Sequence, residues 1–250
     1  MKIAWESRGD GPPLLLVQGL GYARWGWDPV VPGLAERFSV LTFDNRGIGE
    51  SDKPAGPYTA REMADDALQV LDEAGLESAH VVGASLGGMV AQEVAAAAPA
   101  RVDRLVLCST TPGGPGAVPM PEVTVRLFGE AATLSPEAAL RRFVENALGA
   151  GAPRELVDEI YVRRLENPPD AAGWQAQAAA GTTFPGADGA IAAPTLVMHG
   201  TADNVVDHRN AHLLAARIPG ARVELIPGGG HLFFWEQPDA FVRIVSEFLA

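Results

Sequence analysis

Six short, largely apolar runs recur along the chain: Leu14–Val17, Ser39–Phe43, Ala79–Val82, Leu105–Cys108, Thr195–Met198 and Val223–Ile226. A strand with one wet face alternates polar and apolar positions. A continuous apolar run instead fits a strand covered on both faces, as in a parallel sheet between helical layers. Each run closes on Gly, Asp, Ser or a neighbouring turn. Helical periodicity lies between them. Thr59 and Glu62 stand at capping-box spacing, and Met63, Ala67, Val70, Leu71 and Ala74 form a stripe that ends at Gly75. Further helices are predicted over Gly87–Ala98, stopped by Pro99, over Asn210–Ile218, stopped by Pro219, and over Phe241–Leu249, with Pro238 near its start. Alternating strands and helices predict an α/β architecture: a mostly parallel sheet flanked by helices.

Residues 111–191 interrupt this rhythm. Pro112-Gly113-Gly114-Pro115-Gly116 opens the segment as a flexible stretch. Ser135-Pro136-Glu137 then starts a helix with apolar positions Leu140, Phe143, Val144, Ala147 and Leu148. A second carries Leu156, Ile160, Tyr161 and Leu165, and a third surrounds Trp174. With no strand signal, the segment reads as a small helical cap inserted before the penultimate core strand. Residues 1–110 and 192–250 form the core, and 111–191 is a lid on it rather than an independent domain.

The 250 residues are 47% apolar and 20% charged, which excludes a disordered chain. The formal net charge of −12 argues against nucleic acid and against an anionic membrane surface. A single cysteine, Cys108, offers no internal disulfide. Glu6, Arg8 and Asp10 leave no apolar leader at the N-terminus, and no run suits a transmembrane helix. A cytoplasmic protein acting on small molecules is expected, its oligomeric state unreadable.

Gly83-Ala84-Ser85-Leu86-Gly87 fits G-x-S-x-G. Alone the motif is weak, because so glycine-rich a chain yields about 0.1 matches by chance. Its context carries the weight: it lies between a predicted strand and a predicted helix, where a sharp elbow exposes the serine hydroxyl beside a helix N-terminus. A serine needs a base. Of five histidines, His80 lies inside a strand, His199 ends one, and His208 and His212 belong to a solvated helix. His231 follows Gly228-Gly229-Gly230 at the ligand-binding edge of the sheet and is the candidate base. Asp203, just past the fifth run, is the candidate acid that orients it, whereas Asp207 suits a helix cap. The oxyanion donors are expected to be the backbone N–H groups of Leu86 and Leu20. Trp25, Trp174 and Phe233, with Trp27, Phe184 and Phe234, are candidates for an apolar pocket. For an anionic substrate Arg24 and Arg46 are candidates by position, although both read first as surface or turn residues. No spacing suggests a metal site, and no cofactor is implied.

These motifs together resemble the serine-type α/β-hydrolase family over essentially the whole length. The resemblance rests on Phe43-Asp44-Asn45-Arg46-Gly47-Ile48-Gly49-Glu50-Ser51, the elbow at Ser85, His199-Gly200-Thr201-Ala202-Asp203 and the Gly228–His231 loop. It is nearest to compact esterases and 3-oxoadipate enol-lactonase-like proteins. It implies the α/β-hydrolase fold, a substrate-shaping cap, structural roles for Asp44 and Arg46, and cleavage of an ester or lactone through an acyl-enzyme. Serine at the elbow excludes the aspartate mechanism of haloalkane dehalogenases. Two alternatives stay open: perhydrolase or haloperoxidase activity on the same triad, and a non-catalytic small-molecule binder. Two departures stand out. Gln18-Gly19 replaces the usual His-Gly, and Lys2–Ser7 is too short for the usual N-terminal hairpin, so one edge strand is expected to be missing.

Overall fold

The computed structural model describes residues 1–250. Seven strands form one sheet in the order β1-β3-β2-β4-β5-β6-β7: β1 (Trp5–Arg8), β2 (Pro13–Val17), β3 (Ser39–Phe43), β4 (Ala79–Ala84), β5 (Val102–Cys108), β6 (Thr195–Gly200) and β7 (Arg222–Ile226). Strands β2 to β7 run parallel, while β1 pairs antiparallel with β3, Trp5 opposite Phe43. The short N-terminus thus supplies one edge strand.

The pleat explains the unbroken apolar runs. Leu15 and Val17 point into one core, with Val81, Leu105 and Val197, while Leu14 and Leu16 point into the other, with Val82, Val106 and Met198. Helices α2 (Ala60–Glu73), α3 (Leu86–Ala97) and α8 (Arg209–Arg217) cover the first face. Helices α1 (Val31–Leu34), α9 (Phe233–Glu236) and α10 (Pro238–Leu249) cover the second. Each fully buried leucine contributes about 2 kcal/mol from area removed from water. The α2 capping box forms as its spacing predicts: Glu62 N–H donates to Thr59 Oγ1 at 3.1 Å, and Thr59 N–H donates to the Glu62 carboxylate at 2.8 Å.

Between β5 and β6 the chain holds four helices, α4 (Glu122–Ala131), α5 (Pro136–Asn146), α6 (Arg154–Glu166) and α7 (Ala171–Thr182). The sequence predicts three. It misses α4 because Val123, Val125 and Phe128 of this helix face solvent, and only Thr124 and Leu127 are buried. No helix is long and apolar enough to cross a membrane.

Candidate active site

Strand β4 runs directly into α3, and the residue between them absorbs the whole turn. Ser85 has φ 56° and ψ −120°, a region that L-residues with a Cβ rarely occupy. Its neighbours hold it there. Ser85 N–H donates to Cys108 O at 2.8 Å, and Ser85 O accepts from Thr110 Oγ1 at 2.7 Å and from Gly88 N–H at 2.9 Å. Close approach also requires glycine around the elbow. A Cβ on Gly87 would collide with the carbonyls of Val17 and Gln18, and one on Gly19 would lie 3.0 Å from Ser85 Cβ. The loop after β2 is therefore pressed against Ser85.

That loop carries Leu20, whose N–H makes no hydrogen bond within the protein. Leu86 N–H is the first of α3, one of the donors that a helix leaves unpaired. Gln18 holds the loop in its own way. It is buried, its Oε1 accepts from Gly19 N–H at 2.7 Å, and its backbone O accepts from Asn45 Nδ2 at 2.9 Å. The turn after β3 is braced as the sequence suggests. Buried Asp44 accepts from Arg24 N–H, Arg24 Nη1 and Glu50 N–H at 2.7–2.9 Å. Arg46 is bound to Asp66 at 2.5 and 2.8 Å.

Asp203 lies past the end of β6, buried. Its Oδ1 accepts from Val205 N–H at 2.8 Å and Val206 N–H at 2.9 Å. Its Oδ2 accepts from His231 Nδ1 at 2.9 Å and from His199 Nε2 at 3.0 Å. Burial alone would raise this carboxyl, but the two imidazoles, His231 first, outweigh it and hold the group well below the usual carboxylate range. Because Nδ1 of His231 is committed to Asp203, Nε2 is the nitrogen left for the cavity that His231 shares with Ser85. Ser85 Oγ and His231 are not in direct hydrogen bond; such contacts often tighten only around a substrate. Asp207 lies at the start of α8, one residue before its N-cap His208, and accepts from Arg209 N–H at 2.9 Å.

His199 was placed at the strand end by sequence, with no role assigned. Its Nε2 also lies 3.0 Å from Val206 O. A nitrogen between two acceptors carries the proton, so His199 donates to the same Oδ2 of Asp203 that His231 uses. Glu236, unnoticed in the sequence, accepts from Gly230 N–H at 2.7 Å and from Gly149 N–H at 2.8 Å. Burial raises its carboxyl, the two amides oppose that, and the charge of Asp203 adds to the rise. It joins the loop of His231 to the turn between α5 and α6.

Ser85 and His231 open on a cavity of about 640 Å³, within the range of small-molecule sites. Trp174 and Phe234 line it, as do Leu20, Tyr22, Phe143 and Arg164. Four of the six expected lining residues do not. Phe233 is buried in the second core against Phe234 and Phe241, because successive side chains of this short helix point in different directions. Trp25 stacks between Tyr22 and Trp235 outside the cavity wall. Trp27 and Phe184 are likewise core residues. No group of three or more His, Cys, Asp and Glu is arranged to hold a metal ion.

A serine on a strained strand-to-helix elbow at the carboxyl edge of a mostly parallel sheet, sharing a cavity with a histidine bonded to a buried aspartate, defines a class of proteins. The alpha/beta hydrolase fold family model matches residues 12–238, and the chain belongs to that family. It is 34% identical over 253 residues to a protein of Azorhizobium caulinodans named as a carbamate hydrolase, RutD, covering 98% of this chain and 93% of that one. Its structure is similar to the enol-lactonase of Burkholderia xenovorans LB400, with a TM-score of 0.83 and 29% identity over 99% of this chain and 96% of that one. It is similar too to a thermophilic esterase of Thermogutta terrifontis, with a TM-score of 0.81 and 28% identity over 99% and 92%.

Proposed function

We propose that this hydrolase cleaves a carboxylic ester or lactone through an acyl-enzyme, with Ser85 as nucleophile, His231 as general base and Asp203 as the acid that orients it. The observation that carries the reading is the His231–Asp203 hydrogen bond of 2.9 Å behind a cavity whose wall also bears the strained Ser85. Ser85 Oγ attacks the carbonyl carbon as His231 Nε2 takes its proton. The tetrahedral oxyanion is held by the N–H groups of Leu20 and Leu86. The imidazolium, stabilised by Asp203, then protonates the leaving alkoxide. Water, deprotonated by His231, attacks the acyl carbon and releases Ser85 and the acid.

The test is hydrolysis of p-nitrophenyl acetate, butyrate and octanoate by the intact protein and by Ser85→Ala. Turnover by the first and a loss of at least ~10³-fold in the second is expected. Equal rates in both sink Ser85 as nucleophile. Similarity to the carbamate hydrolase favours a second reading on the same residues, a carbamate carbonyl in place of the ester. Ammonia release from methyl carbamate at a kcat/KM above that of the esters selects it.

A further inference from the structure

After Leu196, Val197 and Met198, strand β6 places a histidine in the interior. His199 is fully buried and takes no part in the triad proposed above. A buried imidazole is costly unless its polar atoms are used, and only one of its two nitrogens is. Nδ1 has no partner, while Nε2 lies 3.0 Å from both Asp203 Oδ2 and Val206 O.

Holding Asp203 in place does not account for this residue. The Asp203 loop is tied down by its own backbone. Thr201 N–H donates to Ile226 O at 3.0 Å, and Ala202 N–H donates to Gly229 O at 2.9 Å. A Cβ on Gly200 would collide with the carbonyls of Gly229 and Gly230, so this loop is already pressed against the loop of His231. The carboxylate is oriented through Oδ1 by the N–H groups of Val205 and Val206. What His199 adds is a second donor on Oδ2, the oxygen that His231 Nδ1 uses.

Sharing that oxygen has a chemical consequence. Asp203 stabilises the imidazolium form of His231 through the negative charge that Oδ2 presents. A second donor on the same oxygen draws off part of that charge. His231 then takes up a proton less readily, and more of it stays free base as pH falls. No other titratable group around His231 does this. Glu236 of α9 is engaged with the N–H groups of Gly230 and Gly149. Tyr22 and Arg164 face His231 only across the shared cavity, where Arg164 donates to Gly21 O at 2.6 Å and covers the Tyr22 ring. At the start of α8, Asp207 and Arg209 pair with each other.

We infer that His199 is a positioning residue that acts on His231 through Asp203, keeping the base unprotonated, and the hydrolase active, at lower pH than the Asp203–His231 pair alone would allow. The inference rests on the serine-hydrolase reading and adds a fourth residue to it.

The test is the pH profile of kcat/KM for p-nitrophenyl butyrate between pH 5 and 9, read where p-nitrophenol and its anion absorb equally. The intact protein is compared with His199→Phe, which fills the space without a donor, and with His199→Gln, whose amide N–H can reach Oδ2. The acid limb should move up by about 0.5–1 pH unit in His199→Phe. Well below the limb, activity relative to each protein's own plateau should then be about 3–10-fold lower than in the intact protein. His199→Gln should restore most of the shift. A merely structural role would lower Tm and the plateau and leave the limb where it was. That result overturns the inference, as does a limb that moves down. ¹⁵N NMR of the imidazoles in the intact protein, assigned with His199→Gln, needs no folded His199→Phe. At pH 8 the His199 proton should sit on Nε2, and a proton on Nδ1 overturns the inference. Failure of the serine reading looks different: turnover does not depend on Ser85. The NMR titration of His231 then decides. A midpoint that rises by the same amount in His199→Phe supports the inference, and one that stays put removes it.

Discussion

At the residue scale, Asp203 gathers four hydrogen bonds on one buried side chain. Two backbone amides and two imidazoles converge on it, and it is shielded from solvent. Asp203→Asn should lower kcat by about 10³–10⁴-fold with little change in the fold, because the amide no longer enforces the tautomer of His231. The substitution should also change how stability depends on pH. The carboxyl is held below its unfolded value of about 3.9, so its contribution is complete above that pH and drains as pH falls towards the folded value. Below pH 4, the stability gap between the intact protein and Asp203→Asn should narrow by about 1 kcal/mol per pH unit. Urea unfolding at pH 7, 4 and 3 measures this. That Ser85, Asp203 and His231 stand past strand ends on one edge of the sheet was legible in the sequence, because each belongs to a motif that closes a strand. His199 was less so. Its bond to Asp203 depends on the loop folding back by one turn, and no periodicity encodes that. Phe233 and Phe234 show the same limit, since adjacent identical residues fall on opposite sides of the cavity wall.

At the element scale, helices with a cap and a clear stripe were legible to within a residue or two. Helix α2 begins where its capping box says. Thr59→Ala should cost about 1 kcal/mol and lower Tm by about 2–4 °C, with ester turnover unaffected. Differential scanning calorimetry beside a p-nitrophenyl ester assay separates the two effects. Helix α4 was illegible for the converse reason. Its N-cap is Pro121, which offers no side-chain acceptor, and its apolar side chains are spread around the helix. Strands β2 to β6 were legible because burial on both faces demands uninterrupted apolar sequence, whereas β7 is the other edge, largely exposed or half-buried, and carries Arg222 and Glu224. The seventh, β1, is an edge strand with polar side chains exposed on the rim, and it follows from pairing with β3 more than from its own composition.

At the scale of the whole molecule, the proposed reacting groups all stand just past the ends of sheet strands, while much of the cavity wall comes from α4 to α7. Glu236 fastens the two together. Its carboxylate holds Gly230, directly before His231, and Gly149 of the α5–α6 turn. Replacing it by alanine leaves two amides without acceptors, a loss of about 2–4 kcal/mol. Glu236→Ala should lower kcat more than it raises KM, and should speed hydrogen exchange at residues 147–152 and 228–231 together. Exchange that rises in only one of these segments would show that they are not coupled through this side chain.

Helix α7 has a quite different attachment from α4. Buried Gln177 of α7 accepts from Gly21 N–H at 3.0 Å and donates to Arg46 O at 2.7 Å, while Tyr58 N–H donates to Ala176 O at 3.2 Å. Helix α4 reaches the core by a bond from Thr124 Oγ1 to Asn204 O, and it leaves Val125 and Phe128 about half exposed. A roof bolted down along one eave and latched at the other has one side on which it can lift. Cap motion that admits a ligand is therefore expected on the α4 side, past Phe128, and faster hydrogen exchange in α4 than in α7 would show it. The bolted eave, with Gly21, Trp174 and Arg164, is expected to keep its place beside Ser85.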